Sequence, residues 1–149
     1  MANEYLQRTP TSTGNRRVWT WSGWIKFSEN ASYRFLFAGG SGSGDRTQIL
    51  SFGGIGGSIR FSNVLTTGNS DVIEASVRRD YSGWMHIFAA VDTTLSKDED
   101  RVKVFVNGVR IINVSTTYPT INQLLAVNQT AGHYIGREVH TTNPLNAIS

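Results

Sequence analysis

Val102-Lys103-Val104-Phe105-Val106-Asn107-Gly108-Val109-Arg110-Ile111-Ile112 is the stretch that decides the fold. An Asn-Gly pair between two β-branched runs is the strongest short-range hairpin signal, because both residues of such a turn need positive φ. A turn at Asn107-Gly108 sets Val106 against Val109, Val104 against Ile111 and Val102 against Asn113 on one face. The other face then carries Phe105 with Arg110, Lys103 with Ile112 and Arg101 with Val114. The first face is apolar and is expected on the core. The second mixes charges with apolar stems, as a half-exposed surface does. A slip of one residue would exchange the faces, so turn and pattern agree.

Outward from the hairpin, the dominant period is two, the period of a strand. Met85, Ile87, Ala89 and Val91 form one apolar row, and Trp84, His86 and Phe88 the opposite row, so this strand is expected to be central and covered on both sides. Trp19, Trp21, Gly23, Ile25 and Phe27 alternate with Thr20, Ser22, Trp24 and Lys26. Tyr33, Phe35 and Phe37 alternate with Arg34, Leu36 and Ala38. Ile73, Ala75 and Val77 alternate with Glu74, Ser76 and Arg78, which predicts one wet face. Gly39-Gly40-Ser41-Gly42-Ser43-Gly44-Asp45, Gly53-Gly54-Ile55-Gly56-Gly57 and the acidic stretch Thr94 to Asp100 are expected as connections. Only Ile121 to Val127 has the pattern of a short helix. Nine or ten strands at this spacing predict a sandwich or barrel.

The chain has 149 residues, enough for one domain with its own core. It has no cysteine, which excludes a disulfide framework, thiolate zinc sites and thiol catalysis. No apolar run is long enough for a membrane span, so no membrane insertion is expected. Met1-Ala2-Asn3-Glu4 lacks a basic-then-apolar leader, so export by a signal peptide is not expected either. The net charge is +3, and the arginines run from Arg8 to Arg137 without forming a stripe. Nucleic acid is therefore not an expected partner, whereas arginine scattered over a surface suits protein interfaces.

Motifs that carry chemistry are absent. His86, His133 and His140 have no metal-ligand spacing, and neither a G-x-S-x-G elbow nor a phosphate loop occurs. His86, on a strand, is expected to be packed or hydrogen-bonded. The only dense carboxylates, Asp98-Glu99-Asp100, precede a strand in a polar loop, where no acid is buried enough to act as a proton donor. No cofactor is expected; Asp98 and Asp100 are the only candidates for a calcium ion. Asn30, Asn113 and Asn128 open Asn-x-Ser/Thr sequons, which chance explains in an Asn-, Ser- and Thr-rich chain. Among the tryptophans, Trp21 lies on the apolar row and is expected in the core. Trp24 shares its row with Thr20, Ser22 and Lys26. An indole in such a setting either lies under a loop or stacks on the apolar face of a sugar ring. Trp24, Trp84 and His86 are therefore the candidate carbohydrate-binding residues.

Four segments in order resemble the laminin-G-like branch of the concanavalin A-like lectin/glucanase superfamily: Trp19-Thr20-Trp21-Ser22-Gly23-Trp24-Ile25-Lys26, Gly83-Trp84-Met85-His86-Ile87 with Ala90-Val91-Asp92, Val102 to Val109, and Tyr134-Ile135-Gly136-Arg137. Tyr5-Leu6-Gln7-Arg8-Thr9-Pro10 followed by Gly14-Asn15-Arg16-Arg17 is similar to the variant found in structural proteins of tailed phages. The resemblance covers nearly the whole chain. It implies an all-β, antiparallel jelly-roll sandwich over residues 1–149, with an N-terminal arm and first strand at 1–17 and a tail at 138–149. Trp21, Asn107, Gly108 and Gly136 are its structural positions here. It does not imply catalysis, since the glucanase E-x-D-x-E strand and the lectin calcium cluster are both unrecognisable.

One departure concerns the last strand of that family. Here Glu138 to Ser149 is polar and carries Pro144, so the last strand is not recognisable. The gap, or His140 to Ser149 itself, is expected to be an assembly contact. The function expected is a non-enzymatic module on the surface of a virion, a capsid decoration or a head or tail fibre, with glycan binding. Its partners would be other virion proteins, copies of itself or a cell-surface glycan. The alternatives are a stand-alone lectin and, third, a glycoside hydrolase.

Overall fold

A computed structural model of the chain describes residues 5–26, 33–52, 57–75, 83–111 and 113–139. In chain order the elements are β1 (Leu6–Arg8), β2 (Val18–Ile25), β3 (Tyr33–Gly42), β4 (Asp45–Phe52), β5 (Ser58–Leu65), β6 (Ser70–Glu74), β7 (Met85–Asp92), the single helical turn α1 (Asp98–Arg101), β8 (Val102–Val106), β9 (Val109–Arg110), β10 (Asn113–Thr117) and β11 (His133–Ile135). They form a seven-stranded sheet, ordered β1-β11-β3-β4-β5-β6-β10, and a four-stranded sheet, ordered β2-β7-β8-β9. Every pairing in both sheets is antiparallel. Among the described residues the strands number eleven, against the nine or ten expected. No helix of the described residues is long and apolar enough to cross a membrane.

The inner faces meet in one core. Trp19 of β2, Met85, Ile87, Ala89 and Val91 of β7, and Val102, Val104 and Val106 of β8 pack against Leu36, Ile49, Ile59, Phe61 and Val72 of the larger sheet. Alternation alone sends these residues inward, and their burial drives the two layers together. Trp19 bridges the layers, its ring 6.2 Å from Phe37 and 6.3 Å from Phe61.

The turn at the hairpin forms as expected, with Asn107 at φ +51° and Gly108 at φ +80°. Val106 pairs with Val109 and Phe105 with Arg110, and the Ile111 N–H donates to the Val104 carbonyl at 3.0 Å. The pairs Val102/Asn113 and Arg101/Val114 do not form, because the chain leaves this sheet: Asn113–Thr117 pairs instead with β6 of the other layer. Val109, at the turn, overshoots the core and is 71% exposed.

Other expectations need correction. The face of β6 that carries Glu74 is not wet: Ser70, Val72 and Glu74 point inward, and Glu74 is only 2% exposed. Its carboxyl group accepts the Ile59 N–H at 2.9 Å, a partner for a polar group that alternation forces into the core. Ile73, by contrast, takes the half-exposed side. β7 is central in its ladder, between β2 and β8, but its outer face is not covered. Ile121 to Val127 forms no helix: Asn122 adopts φ +61° and Asn128 φ +58°, which break any helical run. Leu125, Ala126 and Val127 are buried there as an irregular plug. Most of the Gly53 to Gly57 stretch and all of His140 to Ser149 lie outside the described residues.

Gly39 to Gly42 is strand, not loop. β3 runs to Gly42, and only Ser43-Gly44 turns before β4. Glycine is required here by close approach. A Cβ on Gly39 would come within 3.0 Å of the His133 ring, and one on Gly40, at φ +151°, would collide with the Asp45 carbonyl oxygen. A bulge between Gly40 and Gly42 accommodates the contact. Asp45 ties the turn to the following structure, accepting from Ser41 Oγ and Gln129 Nε2, both at 2.7 Å. Burial pushes its carboxyl pKa up, but these hydrogen bonds and the Arg16 charge prevail and hold it below the usual aspartate value.

Gly40→Ala should therefore destabilise the protein by more than about 2 kcal/mol, whereas Gly42→Ala, where a Cβ meets open space, should cost less than about 1 kcal/mol. Urea unfolding of both variants checks this; equal midpoints would contradict the close approach.

Candidate functional site

The outer face of the four-stranded sheet is built by the residues of β2 and β7 that the core does not take. The β2–β7 register pairs Trp24 with His86 and Ser22 with Phe88. Trp24 is 66% exposed and Trp84 64% exposed, so neither is covered by a loop. The Trp24 and His86 rings lie 5.1 Å apart, tilted by 41°. Ser22 Oγ and His86 Nε2 are hydrogen-bonded at 2.8 Å. Trp84 precedes His86 by two residues and stands one residue before β7, outside the paired ladder. The structure thus brings Trp24 and His86 together on one face, with Trp84 exposed just before β7 begins. Phe88 and Phe105 continue the surface, their rings 5.8 Å apart.

Asn107 does more than turn the chain. Its side-chain Oδ1 accepts the His86 N–H at 2.9 Å, and its own N–H donates to the His86 carbonyl at 2.8 Å. The hairpin tip is thereby clamped to the strand that presents the imidazole. The sequence signal for this second role is weak, since an Asn-Gly pair is fully explained by its turn.

The remaining structural candidates fall where alternation puts them. Trp21 is half-buried, stacked on Phe37 at 6.2 Å, with its ring against the open face of Gly23. Gly136 has φ +84°, which favours glycine. Beside β2, which among the described residues is paired on one side only, lies a groove of about 460 Å³ lined by Trp19, Trp21, Phe37, Val127 and Tyr134. The Trp19 Nε1–H is buried without a hydrogen-bond partner among the described residues.

The calcium candidates sit on α1 rather than in a plain loop. Asp98 accepts the Glu99 N–H, and Asp100 lies 3.0 Å from Lys103 Nζ and 4.0 Å from Arg110 Nη1. The Lys103 hydrogen bond lowers the Asp100 pKa. Among the described residues no three His, Cys, Asp or Glu side chains group as a metal site. The other described carboxylates are also engaged: Asp71 by Arg60, Asp92 by Thr94, Glu99 by Lys97, Glu74 by the Ile59 amide, and Glu138 by Gln48 at 3.5 Å and Arg46 at 3.9 Å.

No family model matches the sequence, and neither does any curated protein sequence. Solved structures do match. The chain is similar to domains LG4-5 of the mouse laminin alpha1 chain at 13% identity and a TM-score of 0.64, over 99% of this chain and 36% of that one. It is similar to the CBM40 of the Ruminococcus gnavus IT-sialidase, solved bound to alpha2,6 sialyllactose, at 14% identity and a TM-score of 0.59, over 97% and 84%. It is also similar to a heptameric SAP-like pentraxin of Limulus polyphemus at 14% identity and a TM-score of 0.61, over 97% and 64%. The chain thus spans about a third of the laminin chain that it matches. All three are concanavalin A-like jelly rolls, and at these identities the likeness shows the fold.

Two of the four tryptophans should be open to solvent. Iodide quenching of the wild type should remove the red part of the emission, and a Trp24→Phe/Trp84→Phe variant should keep a blue-shifted, poorly quenched spectrum from Trp19 and Trp21. An unchanged quenching constant in that variant would place the exposed indoles elsewhere.

Proposed function

We propose that this protein is a non-enzymatic binding module that takes up glycan on the outer face of its four-stranded sheet, with Trp24, Trp84 and His86 as the contact residues. The observation that carries this reading is the pair of two-thirds-exposed indoles beside a hydrogen-bonded imidazole. An indole offers an apolar face to the C–H side of a pyranose, and Ser22 and His86 offer hydrogen-bonding groups at its edge. The CBM40 neighbour, solved with sialyllactose, supports a glycan reading by fold analogy alone. The non-enzymatic part rests on the sequence, which lacks a recognisable glucanase E-x-D-x-E strand. No cofactor enters this reading.

The protein is further read as displayed on a phage particle, as a capsid decoration or a head or tail fibre domain, with other virion proteins or copies of itself as partners. The support is the similarity of Tyr5 to Arg17 to the opening of tailed-phage structural proteins. The heptameric pentraxin neighbour makes self-association of such a sandwich reasonable. A stand-alone lectin is the alternative and would use the same face.

On a glycan array, Trp24→Ala should weaken at least one class of wild-type hits tenfold or more; superimposable wild-type and variant profiles would remove the tryptophan face from the reading. Mass spectrometry of purified phage particles whose genome encodes this chain should find it in many copies per particle. Its absence from them would leave the stand-alone lectin.

A further inference from the structure

The outer face of the seven-stranded sheet holds a cavity of about 400 Å³ that the tryptophan face does not involve. Its floor is set by register. Gln48 of β4 pairs with Ser62 of β5, and Ser62 pairs with Asp71 of β6, so three hydrogen-bonding side chains stand in one row across three strands. Neighbouring strands lie about 4.8 Å apart, so the row presents polar groups at roughly the interval between alternate hydroxyls of a pyranose ring. Arg60 and Asp71 are locked as a planar fork, Nε to Oδ1 at 2.8 Å and Nη2 to Oδ2 at 2.6 Å. The fork uses two of the five guanidinium donors and leaves acceptor capacity on both carboxylate oxygens. Arg46 and Glu138 form the opposite wall, and Gln48 stands between them. The Asn69 amide and the Ser62 hydroxyl make no hydrogen bond to a described residue. Tyr33, at the rim, is stacked on Phe35 with 16° between the ring planes.

We propose that this cavity is a second saccharide site, for an uncharged, polyhydroxylated ring held by Arg60, Asp71, Ser62, Gln48 and Asn69 against Tyr33. Its charges select the ligand class. Among the described lining residues two arginines face two carboxylates at close range, so these carry no net charge to attract a carboxylated or sulfated sugar. The fork instead offers a donor and an acceptor side by side, as a pair of adjacent hydroxyls requires. A cavity of this size also lies in the range of small-ligand pockets. The site is on the sheet opposite Trp24 and Trp84, so it stands or falls independently of them.

The test uses a glycan array carrying neutral and sialylated glycans in parallel. In a Trp24→Ala/Trp84→Ala background, a set of neutral glycans should still be bound, and adding Ser62→Phe, which fills the floor, or Asn69→Ala should weaken those hits at least tenfold. Sialylated glycans should be absent from that set. Melting curves check the fold, and Asn69→Ala, a change at an exposed side chain, carries the test alone if Ser62→Phe does not fold. No neutral glycan bound in the double-tryptophan background would overturn the site, as would hits that survive Asn69→Ala and Ser62→Phe undiminished, or hits confined to sialylated glycans.

Discussion

The aromatic face that the protein presents to solvent depends on the register of one ladder. β2 and β7 pair over eight residues, from Val18 with Asp92 to Ile25 with Met85. Because the side-chain period is two, this register sends Trp19, Met85, Ile87, Ala89 and Val91 into the core and leaves Trp24 and His86 outside. A shift of one residue would bury Trp24 and expose Trp19, destroying core and outer face together. The core therefore holds the face in register, and no separate device is needed to place the indole beside the imidazole. The hairpin tip adds a lock at the far side of β7, where Asn107 exchanges two hydrogen bonds with the His86 backbone.

The loops are held by a different interaction. Arginine outnumbers lysine eleven to three, and the structure shows several of these arginines capping backbone carbonyls. Arg101 donates to Leu95, Ser96 and Pro119, at 2.8, 2.7 and 2.9 Å. Arg16 donates to the Leu125 carbonyl at 2.6 Å and Arg17 to that of Asn122 at 3.1 Å. A planar guanidinium with several fixed donors can satisfy several orphan carbonyls at once, which a lysine ammonium does less well. Arg16 and Arg17 fasten the N-terminal arm to the irregular 121–127 plug, and Arg101 ties α1 to the loop before it and to Pro119. These bonds give three of the eleven arginines a structural role.

The parts legible in the sequence were those governed by period and by turn chemistry. The strands at Trp19 and Met85 and the turn at Asn107 are each specified by residues within ten positions of one another, so local pattern suffices. What the pattern missed depends on distant partners. Gly39 and Gly40 read as loop because their role lies in what approaches them, His133 and the Asp45 carbonyl, and a sequence does not show approach. Glu74 read as wet because its partner, the Ile59 amide, lies fifteen residues away on a neighbouring strand. The exit of the chain from β9 to β10 in the other sheet was hidden because Asn113 to Thr117 fits either sheet by alternation. Trp84 and His86 were legible as one row and Trp24 as part of another; that Trp24 and His86 are neighbours was not, since it needs the β2–β7 register. The polar row Gln48, Ser62 and Asp71 was not, since it exists only once β4, β5 and β6 are in register.

The energetics of the tryptophan face bear on how such a module would work. Burying a whole aromatic side chain removes about 150–250 Å² from water, at about 25 cal/mol per Å². A sugar ring can cover only one face of an indole, so each of Trp24 and Trp84 offers on the order of 2 kcal/mol to a partner before ordering costs. Two such contacts together with one or two hydrogen bonds correspond to an affinity near the millimolar end of the scale. A single copy would hold a glycan briefly. Linked copies gain roughly two to four orders of magnitude in avidity without any new contact, provided that their sites can engage one surface together. On the proposed glycan reading, such a face gains most where several copies are displayed together.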